Sequence, residues 1–276
     1  MAVRVRCITD PACVWSWALE PAVRALMVEF GDELQWTFVM GGLAREFESE
    51  GLVPHWLDAA AESGMPTDPR AWYEGPIRSS YPACMAVKAA QEQGPDLAAR
   101  YLRALREGIV ALRRKLDTRE ALVEEARGVG LDVERFRIDL GSHAIVEGFG
   151  GDLEESREVP DVVREADKVR CSASVGEERV PFPTFRFEGD GVHWTCGFRP
   201  HSALREAALA AGARPSDRPR PDVMGALDGF GRMAVPEVAA VCDLPALRAE
   251  VELARLALDW RVRPVPVGCG RLWEPA

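Results

Sequence analysis

Residues Val3 to Thr9 read Val, Arg, Val, Arg, Cys, Ile, Thr. This alternation of β-branched and polar side chains predicts a strand with one buried face. Asp10-Pro11-Ala12 ends it. Apolar residues then recur at helical spacing through Trp17, Val23 or Leu26, and Phe30, which predicts a helix over about 14–30. Pro21 falls inside that helix and should kink it, because proline lacks an N–H and clashes with the preceding turn. Gly31-Asp32 is a stop, and Leu34 to Val39 reads as a second strand. The chain therefore opens as β-α-β, and the right-handed crossover rule makes the two strands parallel neighbours.

From about 41 to 167 the pattern is helical. Leu97, Tyr101, Leu105, Ile109, Leu112 and Leu116 recur at steps of three and four, which gives one buried face. Asp117 with Glu120 predicts a capping box ahead of the next helix, ended by Gly128 or Gly130. Ser79-Ser80-Tyr81-Pro82 offers an N-cap and an early proline, so another helix starts there. Strand patterns return at Thr184–Phe187 and Val192–Cys196, joined by a tight turn through Glu188-Gly189-Asp190-Gly191. A helix follows over about 201–211. A β-α-β half and a β-β-α half thus flank a helical insertion of more than 100 residues, an α/β arrangement.

Gly212 to Pro221 holds three prolines and three arginines, a linker composition. Beyond it, Val235–Cys242 reads as a short helix and Ala246–Trp260 as a longer amphipathic one. Arg261–Trp273 reads as a hairpin around Gly268-Cys269-Gly270. Helix, turn, helix, hairpin is the element order of a winged helix.

Composition narrows the possible functions. The 276 residues are 47% hydrophobic and 28% charged, a globular balance, with a net charge of −10. Phosphate binding needs clustered Lys and Arg, so a nucleic-acid partner is not expected. Residues 222–276 share this bias, with six arginines and no lysine against eight carboxylates. No apolar run approaches the roughly 18 residues of a membrane span, so no membrane partner is expected. The first residues lack a signal-peptide pattern, so a cytoplasmic location with reduced thiols is expected. There are seven cysteines and no C-x-x-C, which disfavours a disulfide framework and a zinc ribbon. His143 and Glu147 share a helix face but lack a second cluster, so no metal is expected. No cofactor is implied beyond a possible low-molecular-weight thiol.

Cys13 stands apart from the other cysteines. It lies between a strand end and a helix start, where unpaired N–H groups and the helix dipole favour an anion. The local sequence therefore predicts a thiol that ionises readily. Cys13-Val14-Trp15-Ser16 is C-x-x-S. Ser16 can donate a hydrogen bond to a thiolate but cannot attack a mixed disulfide. Trp15 is the candidate exposed aromatic beside the thiol, while Trp17 has core spacing. Cys84, Cys171, Cys196 and Cys242 are all open as a second sulfur, and Cys7 belongs to the core.

Asp10-Pro11-Ala12-Cys13-Val14-Trp15-Ser16-Trp17 resembles the D-P-x-C-x-W-x-W opening of the DsbA family within the thioredoxin superfamily. Pro21 matches that family's kink proline. Val180-Pro181-Phe182-Pro183-Thr184-Phe185 resembles its cis-proline segment, with Pro183 rather than Pro181 in the cis-proline place. Ser79-Ser80-Tyr81-Pro82-Ala83 resembles the start of its helical insertion, and Gly197-Phe198-Arg199-Pro200 the approach to its last helix. The resemblance spans about 3–212. It implies a DsbA-like thioredoxin fold over 1–211 with an insertion at about 41–167. The linker 212–221 and a winged-helix-like module at 222–276 follow.

The resemblance also implies site residues. Cys13, Ser16 and Pro183 take the catalytic places, and Trp15, Phe182, Pro11 and Ser80 the substrate- or partner-binding places. Ser16 departs from the dithiol motif of active family members, which leaves three functions open. The first is a monothiol oxidoreductase that forms a mixed disulfide between Cys13 and a protein or peptide thiol. The second is a non-catalytic adaptor similar to the SpxH/YjbH type, which presents a client protein to the ClpXP protease. The third is a glutathione-type transferase or isomerase.

Overall fold

The computed structural model describes residues 2–48, 50–166, 168–171 and 176–276; for Cys171 only the backbone is described. In chain order the first half comprises β1 (Val3–Thr9), α1 (Val14–Ala18), α2 (Glu20–Phe30) and β2 (Leu34–Met40). The insertion adds α3 (Leu52–Ser63), α4 (Ala71–Glu74), α5 (Tyr81–Gln91), α6 (Pro95–Val110) and α7 (Arg119–Gly128). It continues with α8 (Val133–Leu140), α9 (His143–Arg157) and α10 (Asp161–Glu165). The second half holds the short strands β3 (Arg170–Cys171) and β4 (Glu178–Arg179), then β5 (Thr184–Gly189), β6 (Gly191–Cys196) and α11 (His201–Ala210). The C-terminal part is α12 (Val223–Phe230), α13 (Val235–Cys242), α14 (Ala246–Leu258), β7 (Val262–Val267) and β8 (Gly270–Pro275).

The central sheet has the order β2-β1-β5-β6. β1 and β2 are parallel, with Val3 opposite Leu34 and Thr9 opposite Met40. β5 runs antiparallel to β1, with Cys7 opposite Phe185, and β6 runs antiparallel to β5. The alternation in β1 sends Val3, Val5 and Cys7 to one face, where they pack with Leu26, Phe30, Phe187 and Leu204. Ile8 and Val39 join a separate cluster with Cys13, Val180 and Phe182. The insertion packs in a core in which Tyr101, Leu105 and Ile109 of α6 meet Ala86 and Val87 of α5 and Phe136 of α8, and which Trp17 of α1 and Val267 and Leu272 of the C-terminal hairpin share. This core sits against the Cys13 end of the sheet.

Local chemistry explains three departures from the expected elements. The kink at Pro21 is a full break. α1 ends at Ala18, and Pro21 occupies the first turn of α2, where a missing N–H leaves no bond unmade. The cap of α7 is Thr118, whose hydroxyl accepts from the Ala121 N–H at 3.4 Å; Asp117 instead accepts from the Arg78 N–H at 2.8 Å. The C-terminal part gains α12, capped by Asp222, which accepts from the Gly225 N–H at 2.7 Å.

The Pro/Arg segment is fastened rather than free. The Ser216 N–H donates to the Glu29 carbonyl at 2.7 Å, and Arg220 donates to the Ala25 carbonyl at 2.9 Å. Both acceptors lie on α2. The tip of the β7–β8 hairpin reaches the insertion, where the Cys269 N–H donates to the Thr67 carbonyl at 3.2 Å. Among the described residues no helix is long and apolar enough to cross a membrane.

Candidate functional site

The turn that carries Cys13 is organised by Asp10. Its buried carboxylate accepts from the Ala12 N–H at 2.8 Å on one oxygen. The other oxygen accepts from the Leu43 N–H at 2.6 Å, the Ser80 hydroxyl at 2.8 Å and the Cys84 thiol at 3.2 Å. A buried carboxylate needs such a set of donors, and this one ties the end of β1 to the chain after β2 and to α5.

Cys13 is the residue that precedes α1, with extended backbone angles. Its sulfur lies 3.7 Å from the Phe182 carbonyl oxygen, to which the thiol donates. The peptide bond from Phe182 to Pro183 is cis. Beneath the sulfur, the Ser16 oxygen accepts from the Thr9 hydroxyl at 2.7 Å, and Thr9 accepts from Arg106 at 2.8 Å. Arg106 is held in turn by Glu20. Serine at this position is therefore built into a polar chain that runs down into the protein.

The expectation of a readily ionised Cys13 is corrected. Burial pushes the thiol upward, and the Ser16 hydroxyl and N–H, which favour the thiolate, offset this only in part. Only 4% of Cys13 is exposed, and α1 has five residues, so a short helix dipole competes with desolvation and loses. Asp10 adds a negative charge nearby and Arg106 a positive one.

Over the sulfur lies a cavity of about 770 Å³, walled by Trp15, Phe47, Trp72, Phe182 and Phe198. The Trp15 indole N–H donates to His55 at 3.0 Å, and its ring tilts against Phe198 at 5.4 Å between centroids. Glu46, Glu48, Glu50 and Glu62 stand on the lip formed by the insertion, and Arg170 and Arg179 on the wall beside Pro181. Burial lowers the pKa of His55, with Asp58 opposing the shift. Among the described residues no group of three or more His, Cys, Asp and Glu is placed to hold a metal.

Of the residues singled out in the sequence, Cys13, Trp15 and Phe182 line one groove, Ser16 packs below it, and Pro183 follows Phe182 in the chain. Pro11 and Ser80 do not line it. Pro11 is buried, and Ser80 is a buried clasp between Asp10 and the Ala44 N–H, so neither is placed to touch a partner. Cys84 is buried, bonded to Asp10 and held well above the ordinary thiol range by burial. It does not line the groove. Sequence reasoning missed Phe47, His55, Trp72 and Arg179. Three of these come from the insertion, and no local pattern announces that they will fold over the thiol.

A family model described as Thioredoxin matches residues 7–163, more than half of the chain. The chain belongs to the thioredoxin family. It is 29% identical to the ClpXP adapter protein SpxH of Halalkalibacterium halodurans, over 96% of this chain and 86% of that protein. It is 26% identical to the ClpXP adapter protein SpxH of Bacillus subtilis, over the same shares. The solved structure of the cytosolic disulfide reductase DsbM from Pseudomonas aeruginosa aligns with a TM-score of 0.54 at 20% identity. That alignment covers 75% of this chain and 93% of the other. The likeness is one of fold and agrees with a DsbA-like thioredoxin sheet interrupted by helices.

Proposed function

We propose that this protein is a cytoplasmic adaptor that holds a client polypeptide for a ClpXP-type protease, with the groove over Cys13 as the client-contact surface. One observation carries this reading. An aromatic-walled groove ends on a thiol that is buried, that burial pushes above the ordinary thiol range, and that is followed by serine where a second sulfur would stand. Thiol–disulfide exchange needs a thiolate and, to be completed within one molecule, a second thiol. Binding needs neither. Aromatic walls around a desolvated floor are what peptide anchors use. The similarity to SpxH proteins over 96% of the chain supports the reading, because it includes the C-terminal module. In this reading Trp15 and Phe182 supply contact surface, Pro183 is buried behind Phe182, and no cofactor or metal takes part.

The test is degradation of a captured client by purified ClpXP. The wild type and Cys13→Ser are expected to accelerate it equally, and Trp15→Asp to abolish the acceleration. The reading is overturned if no captured protein is degraded faster in the presence of the wild type.

One observation favours a second reading, monothiol exchange. Cys13 lines the groove, so a disulfide laid in it can reach the sulfur. In that case capture is lost in Cys13→Ser and reversed by a reductant.

A further inference from the structure

Arg179 is only 7% exposed and has no carboxylate partner in an ion pair among the described residues. Among the described residues the other buried arginines are both paired, Arg24 with Glu237 and Arg106 with Glu20, and the partly buried Arg103 pairs with Glu237. Arg179 donates to the Val180 carbonyl at 2.9 Å, and its guanidinium lies 4.2 Å from the centre of the Phe182 ring. Its Nε has no hydrogen-bond partner, and the side chain lines the same groove as Cys13. Burial disfavours its charge, Cys13 and Asp10 favour it and Arg157 and Arg170 oppose it; the Cys13 sulfur is itself buried, and the Asp10 oxygens already serve four donors. A buried, uncompensated guanidinium is costly and is retained where an anion completes it. Arg170 adds a second positive charge on the same wall.

We infer that Arg179, with Arg170 at the rim, forms a carboxylate-binding subsite beside Cys13. Its ligand is a carboxylate carried a few atoms from a sulfur. The source is either a small thiol acid or a client segment with Asp or Glu next to Cys or Met. The inference goes beyond the adaptor reading and stands whether the groove holds a client or a small thiol. It runs against the rest of the surface, since four glutamates line the same groove and the net charge is −10. An anion should therefore be repelled from this molecule everywhere except at such a subsite.

The test compares alkylation by iodoacetate and iodoacetamide, followed residue by residue with peptide mass spectrometry. In each reaction the Cys13 sulfur forms a bond to the methylene carbon, iodide leaves, and the thiol proton passes to solvent. Exposed Cys269 is the internal reference for the charge of the whole molecule. The iodoacetate-to-iodoacetamide rate ratio is expected to be about fivefold higher at Cys13 than at Cys269. Arg179→Met should remove the excess, and Arg179→Lys should keep part of it. A wild-type ratio at Cys13 no higher than at Cys269 overturns the proposal, as does an excess unchanged in Arg179→Met. The wild-type comparison decides even if the Met variant fails to fold. Protection of Cys13 from iodoacetamide then separates the sources. Protection by 3-(methylthio)propionate alone assigns a small thiol acid, and protection by acetyl-Ala-Met-Asp-Ala-amide assigns a client acid. Protection by neither overturns the proposal. These reactions contain neither protease nor client, so their failure leaves the degradation assay intact.

Discussion

Arg24 and Glu237 meet at 3.2 Å with side chains 5% and 0% exposed, and this ion pair joins α2 to the C-terminal module. Glu237 also takes Arg103 of α6 at 3.0 Å and accepts from the Ala234 N–H at 2.7 Å. Glu20 completes the cluster with Arg24, Arg103 and Arg106. Because Arg106 also holds Thr9, one connected set of polar contacts runs from beneath Ser16 to α13. The module is therefore part of the frame that positions the site.

Removing one member of this cluster leaves the others charged in a dry environment. Glu237→Gln is expected to lower stability by about 3 kcal/mol, since breaking a buried pair costs far more than replacing the whole pair. Urea denaturation checks this. A loss under about 1 kcal/mol would mean that water reaches Arg24 and Arg103.

Acid should weaken the same cluster. Burial raises the pKa of Glu20, but Arg106, Arg103 and Arg24 outweigh it, so the net shift is downward. A carboxylate whose folded pKa lies below its unfolded value stabilises the fold above the unfolded value, about 4.3. That contribution is lost as pH falls through the folded pKa. Denaturation midpoints measured from neutral to acid pH should drop below about pH 4.3. Glu20→Gln, less stable at neutral pH, should flatten that part of the curve.

Cys13 should be a slow nucleophile. Its alkylation by iodoacetamide is expected to reach half its limiting rate above the ordinary thiol value of about 8.5. Ser16→Ala removes the hydroxyl that favours the thiolate and should slow the reaction at neutral pH about threefold. Ser16→Cys supplies the second sulfur of a C-x-x-C, and air oxidation should then remove two titratable thiols together. Half-maximal reactivity at or below the ordinary value would contradict the burial argument.

The groove wall rests on a glycine. A Cβ at Gly41 would lie 2.1 Å from the tip of the Phe182 ring, so Gly41→Ala must push that ring out of place. The expected result is a loss of about 1–3 kcal/mol, the usual range for overpacking, together with weaker client capture. Thermal unfolding and the capture assay check the two parts separately. Full client capture with a destabilised fold would show that the position of Phe182 is not what the client reads.

Much of the fold was legible from periodicity and punctuation. The alternation in Val3–Thr9, the helical spacing through Trp17 and Phe30, and the glycine turn at residues 188–191 are local patterns, and local sterics decide them. Pro21 announced an interruption, though only the structure shows a complete break. The C-x-x-S at Cys13 and the Val180–Phe185 segment were also visible, because each is a short run whose members stay neighbours after folding.

What the sequence by itself determined was the order of the elements and the identity of the atom at the floor of the groove: a lone sulfur with serine beside it. Only the tertiary structure decided how that sulfur behaves. Ionisation depends on how much water and charge surround a group, and those come from chain segments far away in sequence. The same reason moved Ser80 from the groove to a clasp on Asp10 and fastened the Pro/Arg segment along α2. It also left Arg179 buried without a carboxylate, a fact that no reading of Glu178-Arg179-Val180 as a string could supply.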